Sequence, residues 1–241
     1  MVRITADFQQ ERVLHPAAIP LLSEFFTKGW ADPNKLNNSS RQTAILLQQV
    51  RQTFANALNV RPDEIEFLGE VDLGFQLGIA GLLKSESKLY YSKIDRQKVY
   101  AVAANEQNLG RSTTCLSVNG DGEIADFTCD TNDVICWQVA NGESGNLQKV
   151  LKSQALTFAD CTASGVDHLP QFDYQTALFD SSSWQGPAGF GVLVIRSAEK
   201  WRNPLPHNDL SRTPGTFSIP LALASSVALE NYLKEGDIRS K

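Results

Sequence analysis

Cysteine and histidine offer the widest range of chemistry in this sequence, because they serve as nucleophiles, redox centres and metal ligands. Neither type shows the close pairing of a zinc site or a spacing such as HExxH; the residues are Cys115, Cys129, Cys136, Cys161, His15, His168 and His207. A chain of 241 residues needs no disulfide framework, so we expect reduced thiols. No cation adjoins Cys161 in sequence, and we therefore interpret it as a small buried hydrophobe.

Four acidic residues, which flank predicted strands or helices, are the next candidates for chemistry. Glu70, Asp72, Asp160 and Asp180 could converge near Arg96, and clustered carboxylates act as acid and base or gather a divalent cation. The alternative is that some face solvent or cap helices, as Asp72 would at a helix start. We favour the alternative unless the four share one pocket.

A further acidic motif, Asn119-Gly120-Asp121-Gly122, has the opening of a calcium loop. The later ligand positions and the bidentate Glu do not follow at the required spacing. The local chemistry is that of a tight turn, which is our prediction for this segment.

Composition excludes two classes of partner. The formal net charge is −5, and lysines and arginines are scattered without a basic run, so the sequence lacks the footprint of a nucleic-acid binder. The N-terminal residues lack an apolar core region, and no apolar stretch is long enough for a membrane span. We expect a cytoplasmic protein that binds neither nucleic acid nor membrane.

Helical and strand periods alternate along the middle of the chain. Apolar spacing predicts helices at 16–26, 43–58, 73–83, 99–107 and 220–233. Short apolar runs predict strands at 65–68, 89–92, 113–118, 133–139, 155–160, 176–179 and 191–195. Such alternation indicates an α/β protein in layers.

Several segments occur in an order that resembles the class V aminotransferase family, with cysteine desulfurases as the closest subgroup. The segments resemble the family's opening DYxATTPxxP motif and its ADPREIVF, HVNNEIGVVQ, VDATQSVG, GPKGIG and RSGT motifs; here they are 7–16, 61–67, 139–148, 159–165, 186–191 and 212–216. Each match is weak alone, but the ordered series covers nearly the whole chain.

The resemblance implies a three-layer α/β/α fold with a mostly parallel seven-stranded sheet, like the large domain of enzymes that depend on pyridoxal phosphate (PLP). It implies one such domain over residues 1–241. The family's smaller C-terminal domain, which carries the sulfur-accepting cysteine of desulfurases, is expected to be absent. The family's site is shared across a two-fold axis, so we expect a homodimer or a heterodimer with an active cysteine desulfurase.

The family's cofactor contacts are mostly replaced at the matching positions. Ser183 falls on the Schiff-base lysine and cannot form an imine. The degenerate positions are Asp72 and Asp180 on phosphate ligands, Arg96 on the stacking histidine, Ala163 on the ring-oxygen glutamine and Gly142 on a substrate-site asparagine. Only Asp160, on the pyridinium partner, and Thr216, on a cross-subunit phosphate contact, are retained.

Two neighbouring features bear on the same expectation. Glu70 and Asp72 stand in a phosphate cradle, where carboxylates would repel a dianion. Trp184, beside Ser183, is expected either to fill the space of the cofactor ring or to lie exposed at an interface. We therefore expect no catalytic residue, no bound cofactor and no metal.

Three functions remain open on these grounds. The first is a non-catalytic, cysteine desulfurase-like protein that binds or regulates a partner in sulfur transfer or tRNA thiolation. The second is an enzyme of different chemistry that uses Glu70, Asp72, Asp160 and Asp180 in the old cofactor cleft. The third is a PLP-dependent aminotransferase or desulfurase with atypical cofactor binding.

Overall fold

A computed structural model describes residues 13–206, 212–213 and 216–239, with side chains up to residue 236. The part of the opening motif before residue 13, His207, and residues 214–215 of the RSGT-like segment lie outside the described residues. In the described part, no helix combines the length and the apolar character that crossing a membrane requires.

The described strands form one seven-stranded sheet in the order β1-β7-β6-β5-β4-β2-β3. Their bounds are β1 Ile65–Leu68, β2 Leu89–Ser92, β3 Thr113–Leu116, β4 Val134–Gln138, β5 Leu156–Asp160, β6 Thr176–Asp180 and β7 Gly191–Ile195. Strands β2 to β6 are parallel, and β7 runs antiparallel to both of its neighbours. The predicted mostly parallel seven-stranded sheet is confirmed.

Helices cover both faces of the sheet, as burial of the central strands on both sides requires. One face carries α1 Ile19–Lys28, α2 Asn38–Leu58 and α5 Ile219–Arg239, which pack on a core that includes Phe54 and Phe190. The other carries α3 Val71–Phe75 and α4 Gln97–Asn108, which pack on a core that includes Phe158. This is the predicted three-layer arrangement.

Helix α2 begins earlier than its apolar period predicts. Asn37 is the N-cap, and its side chain accepts a hydrogen bond from the Ser40 backbone N–H at 2.9 Å. Asn and Ser are favoured at helix starts because their oxygens satisfy free N–H groups there. The Asn- and Ser-rich segment thus supplies the first turn of the helix.

The helix predicted over 73–83 is instead a short α-helix followed by a π-helical turn, Gln76–Ala80. Small residues let this segment approach the sheet closely: a Cβ built on Gly78 would lie 2.5 Å from the Phe158 ring. The Gly78 carbonyl accepts a hydrogen bond from the Thr176 hydroxyl at 2.9 Å, which supports the irregular turn.

Candidate functional site

The candidate site lies where parallel strands end at one edge of the sheet, the usual place for ligands in open α/β folds. Asp160 is the last residue of β5 and Asp180 is the last residue of β6. Arg96, the N-cap of α4, lies four residues after β2, and Gly142 lies four residues after β4. The fold therefore brings together positions that are far apart in sequence.

Asp160 and Arg96 form an ion pair at this edge. Arg96 Nε lies 3.5 Å from Asp160 Oδ2, and the Asp160 side chain is only 2% exposed, against 35% for Arg96. The other oxygen, Oδ1, accepts hydrogen bonds from the Thr162 backbone N–H at 2.9 Å and the Thr162 hydroxyl at 2.6 Å. Among the described residues, neither Asp160 Oδ2 nor Arg96 Nε has a hydrogen-bond partner.

Gly142 lies close to both the Arg96 guanidinium and Ala163. A Cβ built on Gly142 would be 3.4 Å from both Arg96 Nη2 and the Ala163 Cβ. The Asn141 amide holds this loop in place by donating to the Ile94 carbonyl at 3.0 Å and to Gln138 Oε1 at 2.9 Å. The sequence-predicted positions Arg96, Asp160 and Ala163 are thus brought together.

Asp95 is a second buried acid beside this pair, and sequence reasoning missed it. Its Oδ2 accepts a hydrogen bond from the Ser92 backbone N–H at 2.7 Å, whereas Oδ1 has no partner among the described residues. Burial, supplemented by the negative charge of Asp160, raises the pKa of Asp95 to about 8. Nothing in the sequence around Asp95 distinguishes it from a surface acid, because its burial comes from the tertiary fold.

The expected phosphate cradle is a separate cluster at the start of α3. Glu70 is the N-cap and accepts from the Asp72 backbone N–H at 3.3 Å, while Lys98 Nζ lies 2.6 Å from Asp72 Oδ2. The hydrogen bond to Asp72, with further attraction from Glu70, raises the pKa of Lys98. Lys98, which sequence reasoning did not single out, therefore supplies the counter-charge at this cluster.

Ser183 lies in the 3-10 turn Ser181–Trp184 that follows β6, and Asp180 is the N-cap of this turn. Asp180 Oδ1 accepts from the Ser182 backbone N–H at 2.9 Å, and the Ser183 hydroxyl donates to the Asp180 carbonyl at 2.7 Å. Gly165, with φ of +55°, lies against Ser183: a Cβ built there would be 2.8 Å from the Ser183 Cβ. The Ser183 side chain is thereby fixed by local contacts.

Both expectations for Trp184 are wrong. The indole is fully buried, its Nε1 donates to the Ser225 hydroxyl at 3.2 Å, and its ring lies 5.8 Å from that of Phe54. Trp184 belongs to the core between the sheet and helices α2 and α5. It neither enters the site edge nor lies at the surface.

Two of the four candidate carboxylates are ion-paired, Asp160 with Arg96 and Asp72 with Lys98. Glu70 caps α3 beside Asp72, and Asp180 caps the turn after β6, so the four are not gathered in one cluster. Within the described ranges, no group of three or more His, Cys, Asp or Glu side chains has the arrangement of a metal site. Cys161 is fully buried, and burial raises the pKa of its thiol well above the usual range. Its interpretation as a buried hydrophobe is confirmed.

Thr216 is exposed at the start of the segment that leads into α5, and its backbone carbonyl packs against Gly69, the residue before Glu70. It borders a cleft of about 1530 Å³, whose lining includes Trp30, Arg51, Glu66 and Phe217. The lining of this cleft includes neither Asp160 nor Arg96. The cross-subunit role expected of Thr216 stays a prediction.

Sequence comparison gives two curated relatives and no matching family model. The cysteine desulfurase IscS of Dictyoglomus turgidum is 22% identical over 96% of this chain and 64% of its own length. The putative cysteine desulfurase NifS of Halalkalibacterium halodurans is 22% identical over 88% of this chain and 60% of its own length. The chain thus spans about three fifths of the length of these relatives.

Solved structures of the same fold cover nearly all of the chain. A NifS-like protein superimposes with a TM-score of 0.82 at 18% identity, covering 92% of this chain and 67% of the other. DndA from Streptomyces lividans superimposes with a TM-score of 0.81 at 16% identity, covering 98% of this chain and 73% of the other. The fold is therefore shared at low sequence identity.

Proposed function

Because the chain is a partial, large-domain relative of the class V aminotransferase and cysteine desulfurase family, we propose that it is a non-catalytic member of that family. It acts by binding or regulating a partner in sulfur transfer or tRNA thiolation. The cofactor of the family is PLP, so the proposal depends on whether this chain's residues fit that group.

The observation that carries the proposal is the hydroxyl at Ser183. A PLP enzyme needs a lysine amine to hold the cofactor as a Schiff base, and a hydroxyl cannot form that bond. Ser183 follows β6 at the site edge, where the family resemblance expects the amine, and its hydroxyl donates to the Asp180 carbonyl. No lysine occurs between residues 179 and 191.

The charges at the start of α3 give independent support. A phosphate dianion is bound at a helix N-terminus by free N–H groups and small side chains. Here the Glu70 side chain accepts from the Asp72 N–H, and the Asp72 carboxylate is paired with Lys98. A dianion would have to displace the lysine and approach two carboxylates, which costs several kcal/mol at low effective dielectric.

The same pairs weaken the proposal of an unrelated carboxylate enzyme. Two of its four acids, Asp72 and Asp160, are already paired with cations. A general acid or a metal ligand needs a carboxylate that is free to exchange protons or ions. No observation favours this second candidate, or atypical PLP binding, over the first.

The test is to mix the purified protein with PLP and then reduce it with borohydride. With equimolar PLP we expect no absorbance band of a bound cofactor in the near-visible range and no single stoichiometric adduct after reduction, only scattered labelling of surface lysines. An active cysteine desulfurase treated in parallel gains both the band and one adduct at its cofactor lysine. Ser183→Lys is the matched variant, and we expect it to gain neither, because the cradle charges remain. A stoichiometric adduct at one site of the wild type, located by peptide mapping, would contradict the proposal.

The binding role is tested with a purified active desulfurase from the same host. We expect the two proteins to co-sediment and the rate of sulfide release from cysteine to change when this chain is added. A desulfurase that sediments and turns over identically with and without the chain would count against a regulatory role.

A further inference from the structure

We propose that the Asp160 pocket is a binding site for a planar, hydrogen-bond-donating cation, and that Arg96 fills it from within the chain. The inference deepens the proposed function and rests on it. Because the Arg96 side chain occupies the position beside Asp160, a cofactor cannot bind there. The ligand class is that of guanidinium and related amidinium compounds.

The carboxylate requires a cation because it is buried and only half satisfied. Asp160 is 1% exposed, and its Oδ1 is saturated by two hydrogen bonds from Thr162. Its Oδ2 has no hydrogen-bond donor among the described residues, and the nearest positive atom is Arg96 Nε at 3.5 Å. A buried carboxylate without a counter-charge is strongly unfavourable, so the pair depends on Arg96.

The shape of the pocket selects a flat group. Gly142 and Ala163 present no side-chain atom beyond a Cβ. A Cβ added to Gly142 would lie 3.4 Å from Arg96 Nη2. The Asn141 hydrogen bonds to the Ile94 carbonyl and Gln138 fix the loop that carries Gly142. A planar guanidinium with several donors suits such a slot better than a compact, strongly hydrated ammonium.

The pocket is also reachable from solvent. The Arg96 side chain is 35% exposed, although the Asp160 side chain beneath it is 2% exposed. Lys98, the other cation near this edge, is engaged by Asp72 at 2.6 Å and is not free to replace Arg96. Shortening Arg96 therefore opens a cation site that an added small molecule can enter.

The experiment is chemical rescue. Arg96→Ala is expected to lower the melting temperature by roughly 3–8 °C, because Asp160 is left unpaired. Added guanidinium at millimolar concentration should then raise the melting temperature of Arg96→Ala saturably, as expected for a ligand that binds the native state. Sodium and methylammonium at the same ionic strength should not.

Controls separate a bound cation from a general salt effect. The double variant Arg96→Ala/Asp160→Asn lacks the carboxylate, and the wild type has its slot filled, so guanidinium should stabilise neither. If Arg96→Ala does not fold, Arg96→Gln keeps most of the aliphatic stem, and guanidinium binding to it is measured by calorimetry. Equal responses of wild type, single variant and double variant would overturn the inference.

Failure here is distinguishable from failure of the proposed function. Absence of rescue, with no stoichiometric PLP adduct on the wild type, rejects the cation site and leaves the non-catalytic proposal standing. A stoichiometric PLP adduct on the wild type rejects the non-catalytic proposal, whatever guanidinium does to the variant.

Discussion

Two aspartates at the edge of the sheet are buried, but their carboxyl groups have different partners. Asp160 faces the guanidinium of Arg96 at 3.5 Å, whereas Asp95 accepts one hydrogen bond, from the Ser92 N–H, and has no ion-pair partner among the described residues. Burial raises the pKa of Asp95 to about 8, so this side chain is held protonated at neutral pH. The edge thus places one acid against a cation and holds its neighbour neutral by burial.

Asp95 should make the protein less stable as the pH rises. The unfolded side chain loses its proton near 3.8, whereas the folded one keeps it until about 8, so unfolding is increasingly favoured between these values. Asp95→Asn removes this dependence while keeping an oxygen for the Ser92 N–H. The free energy of unfolding, measured with urea at about pH 5 and about pH 7, should rise in the variant relative to the wild type as the pH rises. The gain is at most about 1.4 kcal/mol per pH unit.

Asp63 provides a control of opposite sign. The hydrogen bond from Arg61 lowers the pKa of this surface carboxylate, so its contribution to stability is present above its ordinary pKa of 3.8 and lost at lower pH. Asp63→Asn should therefore leave stability between pH 5 and 7 parallel to that of the wild type. Parallel curves for Asp95→Asn as well would show that Asp95 is ionised in the folded state.

At the scale of elements, strand β1 is an edge strand that pairs only with β7. Its open side is covered by side chains: the Arg51 guanidinium donates to the Ile65 and Pro62 carbonyls and lies 4.8 Å from the Phe67 ring centroid. The Thr213 hydroxyl donates to the Phe67 carbonyl at 3.3 Å. Covering free edge groups in this way prevents pairing with other chains.

Arg51→Ala should therefore lower stability and increase self-association together. We expect a loss of about 1–3 kcal/mol in the free energy of unfolding, since two carbonyls lose a donor and Phe67 loses a stacked neighbour. Light scattering near the melting temperature should show faster aggregation. Arg51→Met, which keeps the stem but not the donors, separates packing from edge capping; aggregation equal to wild type in both variants would refute the capping role.

The π-helical turn gives a matched pair of glycine substitutions. Gly78→Ala would place a Cβ 2.5 Å from the fully buried Phe158 ring, and we expect a loss of about 2–4 kcal/mol. Gly236→Ala, in α5, meets nothing within 4 Å and should be neutral or stabilising by up to about 1 kcal/mol. Denaturant unfolding of both variants tests this, and similar effects at the two positions would contradict the close packing.

Local pattern predicted the elements well because their apolar faces are continuous. Strands β1, β2 and β7 begin and end at the predicted residues, and the other predicted strands are close to the observed bounds. The π-helical turn escaped prediction because it depends on the Thr176 hydroxyl, 98 residues from Gly78. The sequence allowed Asp160 to converge near Arg96, as it does, but the Lys98–Asp72 pair escaped prediction, since composition reveals charges but not which of them the fold joins.

At the scale of the whole molecule, large apolar side chains remain exposed on the α1 and α2 side. Phe26 is 62% exposed and Trp30 is 46% exposed, and Trp30 borders the cleft that also reaches Thr216. Contiguous exposed apolar surface of this kind often marks an interface. The family resemblance expects the same surface, at Thr216, to face a second subunit.

We therefore expect the purified chain to sediment as a dimer and Thr216→Arg to shift it toward monomer. Thr216 is exposed, so a long cation there should disturb an interface by adding bulk and unpaired charge without disturbing the fold. Gln107→Arg, at another exposed position, in α4, controls for added charge. Sedimentation velocity over a range of concentrations decides the matter, with circular dichroism as the test of folding. If the wild type is monomeric at every concentration and also fails to bind an active desulfurase, the expected interface at Thr216 does not exist. Both expected partners, a second copy of the chain and an active desulfurase, would then have been tested without binding.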